Sequence, residues 1–242
     1  MYKKHAAYGT TVHTFEFDPE VYHWTIEIGK SNQLETLQQI APDADYSINW
    51  GVFDARYDRD GYGRIQNGDK IIQPSSYDFP TVSFVDGKLR RGEYADASPG
   101  FGTWRILVQN GKVDLYYVFF GNGGVKDARS ALGQLKNGNI VFITVEGDDT
   151  KKQGMTSKEL AEFCVSLGCE FACDCDGGGS TACRSKDGYI YNQGRAIASA
   201  MVVRKKTLLE MCLPKVGCGY VWGGQGEILT RALLDRLIKI HG

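Results

Sequence analysis

Between Asn139 and Ser180 the chain spells out a strand–helix–strand unit, and this unit limits the available folds more than any other segment. NIVFITVEG is a short apolar run rich in β-branched residues, suited to a buried central strand. Thr156 and Glu159 then form a T-x-x-E capping box, and Leu160, Phe163, Cys164 and Leu167 recur at helical spacing until Gly168 closes the helix. CEFACDC reads as a second strand running straight into three glycines. Strand, helix and strand in this order make a βαβ-like crossover. The two strand ends, carrying Glu146 and Asp176, are therefore expected on the same edge of one sheet.

Upstream, strands and hairpins dominate. TTVHTFEF and HWTIEI alternate like half-buried strands, while PTVSFVDGKLRRGEY and WRILVQNGKVDLYYVFF are hairpins turned at Asp86-Gly87 and Asn110-Gly111, where positive φ is cheap. The predicted class is α+β (mixed α/β): a twisted mixed β-sheet core with hairpins and few helices. A chain of 242 residues that is 42% hydrophobic can bury such a core. Composition shifts after Lys206. LLEMCLPKVGCGYVWGGQGE lacks strand alternation and leads to ILTRALLDRLIKIHG, where Leu229, Leu233, Leu237 and Ile240 mark an amphipathic helix. The expected organisation is one domain over residues 1–207, followed by a linker and the incomplete start of a second over 208–242.

A net charge of -1 argues against a nucleic-acid partner. The start of the chain lacks a signal-peptide pattern, and no apolar run approaches the roughly 20 residues of a membrane span. The expectation is synthesis in the cytoplasm and exit by another route. Seven cysteines, none before Cys164, are unlike a disulfide framework for a whole domain. Cys173, Cys175 and Cys183 lack the C-x2-C knuckle of common zinc sites. Strand alternation puts Cys173 and Cys175 on one face and Asp174 and Asp176 on the other. This favours thiols packed as small apolar residues, ahead of a disulfide to Cys164 or Cys169 or a metal site.

The segment after Cys175 carries chemistry. Gly177, Gly178 and Gly179 allow backbone N–H groups to approach an anion closely, and Ser180 adds a hydroxyl. Asp176 beside them would repel a bare phosphate, so it points to a sugar or a cation as well. The plain alternative is a tight turn. Arg129 in DARSALG and Arg195 in QGRAIASA each offer the fork that a phosphodiester needs, although either alone suits a structural or surface role.

The ordered set INWGVFD, DARSALGQ, IVFITVEGDD, QGMTSKELAEFCVSLG, CDCDGGGSTA and GRAIASAMVV resembles the phosphodiester glycosidase family over roughly residues 40–205. The resemblance implies hydrolysis of a sugar-1-phosphodiester to free sugar and a phosphomonoester. Carried over position by position, it implies catalytic roles for Asp176, Glu146 and Arg129. Asn49, Asp54, Gly177, Gly178, Gly179, Ser180 and Arg195 become substrate-binding residues. In this reading Arg129, Arg195 and the glycines hold the phosphodiester. Asp176 and Glu146 face the sugar as base, nucleophile or hydroxyl-binders. The resemblance implies no definite cofactor, and a divalent cation at Asp148 and Asp176 is the open alternative. The chain departs from the family in having Glu146-Gly147 where Asp-Gly is usual, and Cys175 where a hydrophobic residue is usual.

KVGCGYVWGGQGEILTRALLDRLIKIHG is similar to the opening of NlpC-type cell-wall peptidases, in which a G-x-x-Y-x-W-G segment precedes the catalytic cysteine. The nucleophile motif and its histidine are absent and Cys218 lies on the wrong side, so no peptidase activity is expected. The two resemblances imply the front part of a wall-degrading protein such as a phage-tail or prophage endolysin, placed in the virion tail or at the cell wall beside other tail proteins. Its substrate would be a phosphodiester-linked wall or capsule glycopolymer of the teichoic-acid kind. The rival reading is a non-catalytic glycan-binding or structural tail domain, which would scatter Arg129, Glu146, Asp176 and Arg195 and present Trp50, Tyr57 and Tyr62 instead.

Overall fold

Seven strands form the first sheet, in the spatial order β1 (Tyr2–Ala7), β2 (Thr10–Phe17), β13 (Ile140–Val145), β12 (Arg129–Leu135), β14 (Cys169–Asp174), β10 (Arg105–Gln109) and β11 (Lys112–Val113). A second sheet runs β16 (Gly188–Asn192), β15 (Ala182–Ser185), β4 (Tyr46–Trp50), β17 (Ser199–Lys205) and β3 (Tyr22–Ile28). The third runs β6 (Lys70–Gln73), β5 (Ile65–Asn67), β9 (Gly100–Gly102), β7 (Thr81–Val85) and β8 (Lys88–Arg91). Among the described residues the α-helices α1 (Leu37–Ile40) and α2 (Ser157–Ser166) and two short 3-10 turns accompany these sheets. The computed structural model describes residues 1–30, 33–53, 63–75, 79–114, 123–207 and 210–211. By its contacts the chain divides into Met1–Lys205 and Lys206–Gly242, and nearly all of the second unit lies outside the described residues, as do Cys218 and the amphipathic segment expected after it.

The chain is largely β with few helices, and the expectation of a mixed sheet is corrected. Every ladder among the described residues is antiparallel. The crossover itself is present. Strands β13 and β14 run the same way and are joined through α2, but β12 is inserted between them and pairs antiparallel with both. A crossover that skips one position leaves no parallel ladder.

Local chemistry fixes the connections. Asp86 and Gly87 take φ +52° and +70°, and Asn110 and Gly111 +53° and +71°, the paired left-handed turn that matches strand twist. The N-terminus of α2 is closed by Thr156, whose hydroxyl accepts from the Glu159 amide at 3.2 Å while its amide donates to the Glu159 carboxylate at 2.8 Å.

The strands stack in layers. One face of the first sheet packs on α2 through Val141, Ile143, Val145, Leu160 and Phe163, and the other packs Phe17, Leu132, Phe142 and Cys173 against Trp24, Tyr46, Ile48 and Met201 of the second sheet. The outer face of the second sheet buries Ala200 and Val202 with Leu37 and Ile40 of α1. With both faces covered, β13 is buried along its whole length, which is why its sequence does not alternate. Cys164, Cys169, Cys173, Cys175 and Cys183 are buried free thiols within these layers. Among the described residues no helix is long and apolar enough to cross a membrane.

Candidate active site

Antiparallel pairing gathers charged residues at one end of the first sheet. Because β10 and β12 both run against β14, the first residue of β10, Arg105, lies opposite the last residue of β14, Asp174, and Arg129 begins β12 two residues before Ala131, the partner of Asp174 on its other side. Past Asp174 the chain continues as Cys175, Asp176 and the glycine triplet. The Cys175 amide donates to the Ser130 carbonyl at 3.1 Å and the Gly178 amide to the Ala128 carbonyl at 2.9 Å, which lays the loop across the start of β12. A Cβ at Gly177 would sit 2.8 Å from the Ala128 carbonyl oxygen. One at Gly178, where φ is +55°, would sit 2.9 Å from the Asp127 carboxylate. Gly177 is required by the close approach of backbone and Gly178 by its left-handed φ, whereas at Gly179 a Cβ meets nothing nearer than 3.7 Å.

The result is a cavity of about 340 Å³ lined by Val52, Trp104, Arg105, Asp127, Arg129, Asp149, Cys175, Asp176, Gly177, Gly178, Gly179 and Arg195. Arg195 reaches in from the loop before β17. Its Nη2 donates to Asp176 Oδ2 at 3.1 Å, its Nε to Ser180 Oγ at 2.8 Å, and its guanidinium carbon lies 5.5 Å from the Phe53 ring centre. Arg129 donates from Nε to the Met155 carbonyl at 3.1 Å and from Nη2 to the Val125 carbonyl at 2.6 Å, bonds that orient the guanidinium without cancelling its charge. Arg105 instead meets a carboxylate, with Nε and Nη2 each 2.9 Å from Asp174 Oδ2.

Burial raises the proton affinity of two cavity carboxylates. For Asp176 it outweighs the opposing pull of the Ser180 hydrogen bond and the Arg195 charge, and the pKa lies above the usual Asp value. Burial also raises Asp127, against the Ala128 amide and Arg129, with Asp149 and Asp148 adding to the rise. The Arg129 guanidinium is shifted below its ordinary value, again chiefly by burial.

The expected site residues divide into three groups. Asp176, Arg129, Arg195 and the three glycines line one cavity. Asn49 and Ser180 stand behind it and are fully buried, so direct substrate contact is replaced by a bracing role. Asn49 Nδ2 donates to the Asp176 carbonyl at 2.7 Å, and its Oδ1 accepts from Ser130 Oγ at 2.5 Å and the Ala182 amide at 3.0 Å, tying both sheets to the glycine loop. The amides of Gly178 and Ser180 are taken up by the Ala128 and Gly177 carbonyls, so the triplet is less of an anion nest than its composition suggests.

Glu146 is placed elsewhere. Val145 packs against α2, so the next residue turns to the opposite face of the sheet, where His13 Nε2 meets Glu146 Oε1 at 2.7 Å. Asp148 is likewise absent from the wall of the first cavity. Its carboxylate accepts from the Thr150 hydroxyl at 2.6 Å and holds Lys151 at 2.9 Å, which draws its pKa down to about 2. Asp148 and Asp176 therefore do not share a site, and no cluster of three metal-binding side chains occurs among the described residues. Asp54, Tyr57 and Tyr62 lie outside the described residues.

Six lining residues were not expected from the sequence: Val52, Trp104, Arg105, Asp127, Asp149 and Cys175, the last of which was expected to pack beneath the sheet. Asp127 and Asp149 adjoin residues that were singled out, Asp127 just before β12 and Asp149 in the turn after β13, and that adjacency was a usable signal. Arg105 had none, because its partner Asp174 lies 69 residues away.

Comparison with known proteins agrees with this geometry. The phosphodiester glycosidase family matches residues 43–204. A prophage-derived uncharacterised protein of Bacillus subtilis, YomE, is 33% identical over 119 residues, which is 49% of this chain and 18% of that protein. This chain thus corresponds to less than a fifth of that relative's length. The zebrafish N-acetylglucosamine-1-phosphodiester α-N-acetylglucosaminidase catalytic domain, auto-inhibited by its pro-peptide, superposes with a TM-score of 0.70 at 17% identity, covering 85% of this chain and 82% of that one. A hypothetical protein from Synechocystis gives 0.71 at 14% identity, covering 85% and 62%. At these identities the solved structures establish the shared fold.

Proposed function

Because the chain belongs to the phosphodiester glycosidase family, we propose that it is a hydrolase that frees a sugar from a glycosyl phosphodiester, using the cavity between Arg129, Arg195 and Asp176. The observation that carries this reading is the lining of that cavity, where three guanidinium groups and three carboxylates meet around a glycine loop.

Arg129 and Arg195 hold the phosphodiester oxygens, for which planar donors are suited. Water adds to the anomeric carbon, the bond from that carbon to the phosphate oxygen breaks, and the electron pair leaves with the phosphomonoester. The arginines stabilise the charge that develops on this leaving group, so protonation of the leaving oxygen is not needed. Asp127 and Asp176 have raised proton affinities, which suits one of them to accept the proton from water. Ser180 and Asn49 act through others, Ser180 by fixing Arg195 and Asn49 by fixing the Asp176 backbone.

The rival, a glycan-binding module without catalysis, is less well supported. Three of its four discriminating residues converge instead of scattering. Trp50 is buried, with its indole N–H donating to the Gly102 carbonyl at 3.2 Å, and presents no aromatic surface. The prophage origin of the Bacillus subtilis relative supports a wall or capsule phosphodiester glycopolymer as substrate and a place in a phage-derived, wall-directed protein. The test is sugar release from N-acetylglucosamine-1-phosphodiesters and from teichoic-acid fragments. Wild type should release sugar, and Asp176→Asn and Arg129→Met should each lower kcat/KM by about 100-fold or more. Equal rates for wild type and Asp176→Asn would refute the proposal.

A further inference from the structure

Glu146 is displaced from the first cavity into a second, of about 420 Å³, whose wall also includes Gly147, Asp148, Lys151, Tyr191 and Gln193. The way Glu146 is held suggests a binding surface. His13, 3% exposed, has Nδ1 within 2.9 Å of the Tyr2 hydroxyl and Nε2 within 2.7 Å of Glu146 Oε1. With Nε2 protonated, the imidazole accepts from Tyr2 and donates to Glu146, so a buried ring fixes the orientation of a carboxylate that is 36% exposed. The backbone of Glu146 is pinned as well, its amide donating to the Thr11 carbonyl at 2.9 Å and its carbonyl accepting from the Thr10 hydroxyl at 2.6 Å. Across the cavity the Tyr191 hydroxyl lies 3.0 Å from the Gly147 amide and 2.6 Å from Gln193 Nε2.

The two cavities are neighbours. A Cβ on Gly147 would lie 2.3 Å from the Ala128 amide nitrogen and 2.5 Å from the Asp127 carbonyl carbon, so the wall between them is two backbones thick. Two segments serve both sides. Asp148 faces the second cavity and Asp149 the first, while Gln193 faces the second and Arg195 the first. Their charges differ in kind. The first cavity presents three arginines beside Asp127, Asp149 and Asp176, whereas the second presents the carboxylates of Glu146 and Asp148 and no arginine, with Lys151 already bound to Asp148 at 2.9 Å. Such a wall lacks the guanidinium forks that suit a phosphodiester and offers the mixed donors and acceptors that match sugar hydroxyls.

We propose that the second cavity is a sugar subsite for the neutral, hydroxyl-bearing unit next to the phosphodiester being cleaved, so that the substrate is a glycan chain and not a lone glycosyl phosphate. This rests on the function proposed above, but its test does not use turnover. Neutral disaccharides built from N-acetylglucosamine, glucose or galactose are titrated into the protein by NMR. At least one should bind wild type. Glu146→Gln and Gln193→Ala should weaken that binding about fivefold or more, and Asp176→Asn should leave it within about twofold. Gln193 is exposed, so its replacement leaves the fold intact, which thermal unfolding confirms. Absence of binding to wild type, undiminished binding by both variants, or loss of binding in Asp176→Asn would each overturn the subsite. Failure of the hydrolase reading would appear separately, as absence of sugar release.

Discussion

Replacing Asp174 by Asn should cost far more stability than its modest change in shape suggests. The Asp174 side chain is 0% and the Arg105 side chain 2% exposed, and their charged atoms approach to 2.9 Å. At an effective dielectric constant of about 20, two unit charges at that separation attract by roughly 6 kcal/mol, and desolvating each ion costs several kcal/mol, so the intact pair comes close to cancelling. Asparagine keeps the volume but takes away the carboxylate that faces the buried Arg105 guanidinium, which costs about 3–5 kcal/mol. In a folded unit of this size each kcal/mol lowers Tm by about 2–4 °C, so the expected fall is about 6–20 °C.

The assay is thermal and urea unfolding at neutral pH, with Arg105→Met/Asp174→Leu as the partner experiment. Removing both charges should recover most of the loss, since a buried pair replaced by apolar groups is neutral to stabilising. The same double variant should lose sugar release, because it removes a guanidinium from the cavity wall. If Asp174→Asn costs less than about 1 kcal/mol, cavity water solvates Arg105, and the argument from a dry pair is wrong. If the double variant is as unstable as the single one, the charge imbalance is not the cause.

Gly147→Ala should be strongly destabilising and should abolish sugar release, because its Cβ would meet backbone of Asp127 and Ala128 at 2.3–2.5 Å; Gly124→Ala, with nothing within 4 Å, serves as the neutral control in the same melts. Asp127 and Asp176 bind protons more tightly than free Asp, so the acid limb of the kcat/KM profile should lie above pH 3.8, and a limb at or below that value would remove both as the essential base. The same shift has a stability sign: between 3.8 and the raised value the folded state holds more protons, so stability falls as pH rises. Asp176→Asn should therefore raise Tm above that window and lose its advantage below it. Burial raises the thiol pKa of Cys173, Cys175 and Cys183, and a hydrogen bond with Cys169 together with burial raises that of Cys164, so in a Cys212→Ser/Cys218→Ser background a thiol reagent should label these four only after denaturation. Labelling in the native state would show that these layers open.

What was legible in the sequence was local. The turns at Asp86-Gly87 and Asn110-Gly111 and the box of Thr156 and Glu159 are set by residues within a few positions of one another, and each occurs as expected. The hairpin of β1 and β2, turned at Tyr8 and Gly9 with φ +50° and +78°, went unread because its first strand is mostly exposed and shows no alternation. The crossover through α2 was legible, but not the insertion of β12 into it, since nothing in the segment 139–180 refers to a strand ten residues upstream.

That insertion accounts for the two cavities. On β13, Val141, Ile143 and Val145 face α2, which sends Glu146 toward the second sheet; on β14, Cys173 and Cys175 face the second sheet, which sends Asp174 and Asp176 the other way. Each strand's alternation is visible in its own residues, but the relative phase of the two depends on pairing through β12, where Leu132 lies opposite both Phe142 and Cys173. A one-residue slip of either strand would have put Glu146 and Asp176 on the same face and made them the pair that their shared sheet edge suggests. The register actually formed gives Glu146 a histidine and a polar wall of its own, and leaves Asp176 to three arginines and Asp127. Two neighbouring polar cavities at one sheet edge, of which the first is lined by arginines and the second is not, follow from that register, and so does the expectation that phosphate and sugar hydroxyls are read by different sets of side chains.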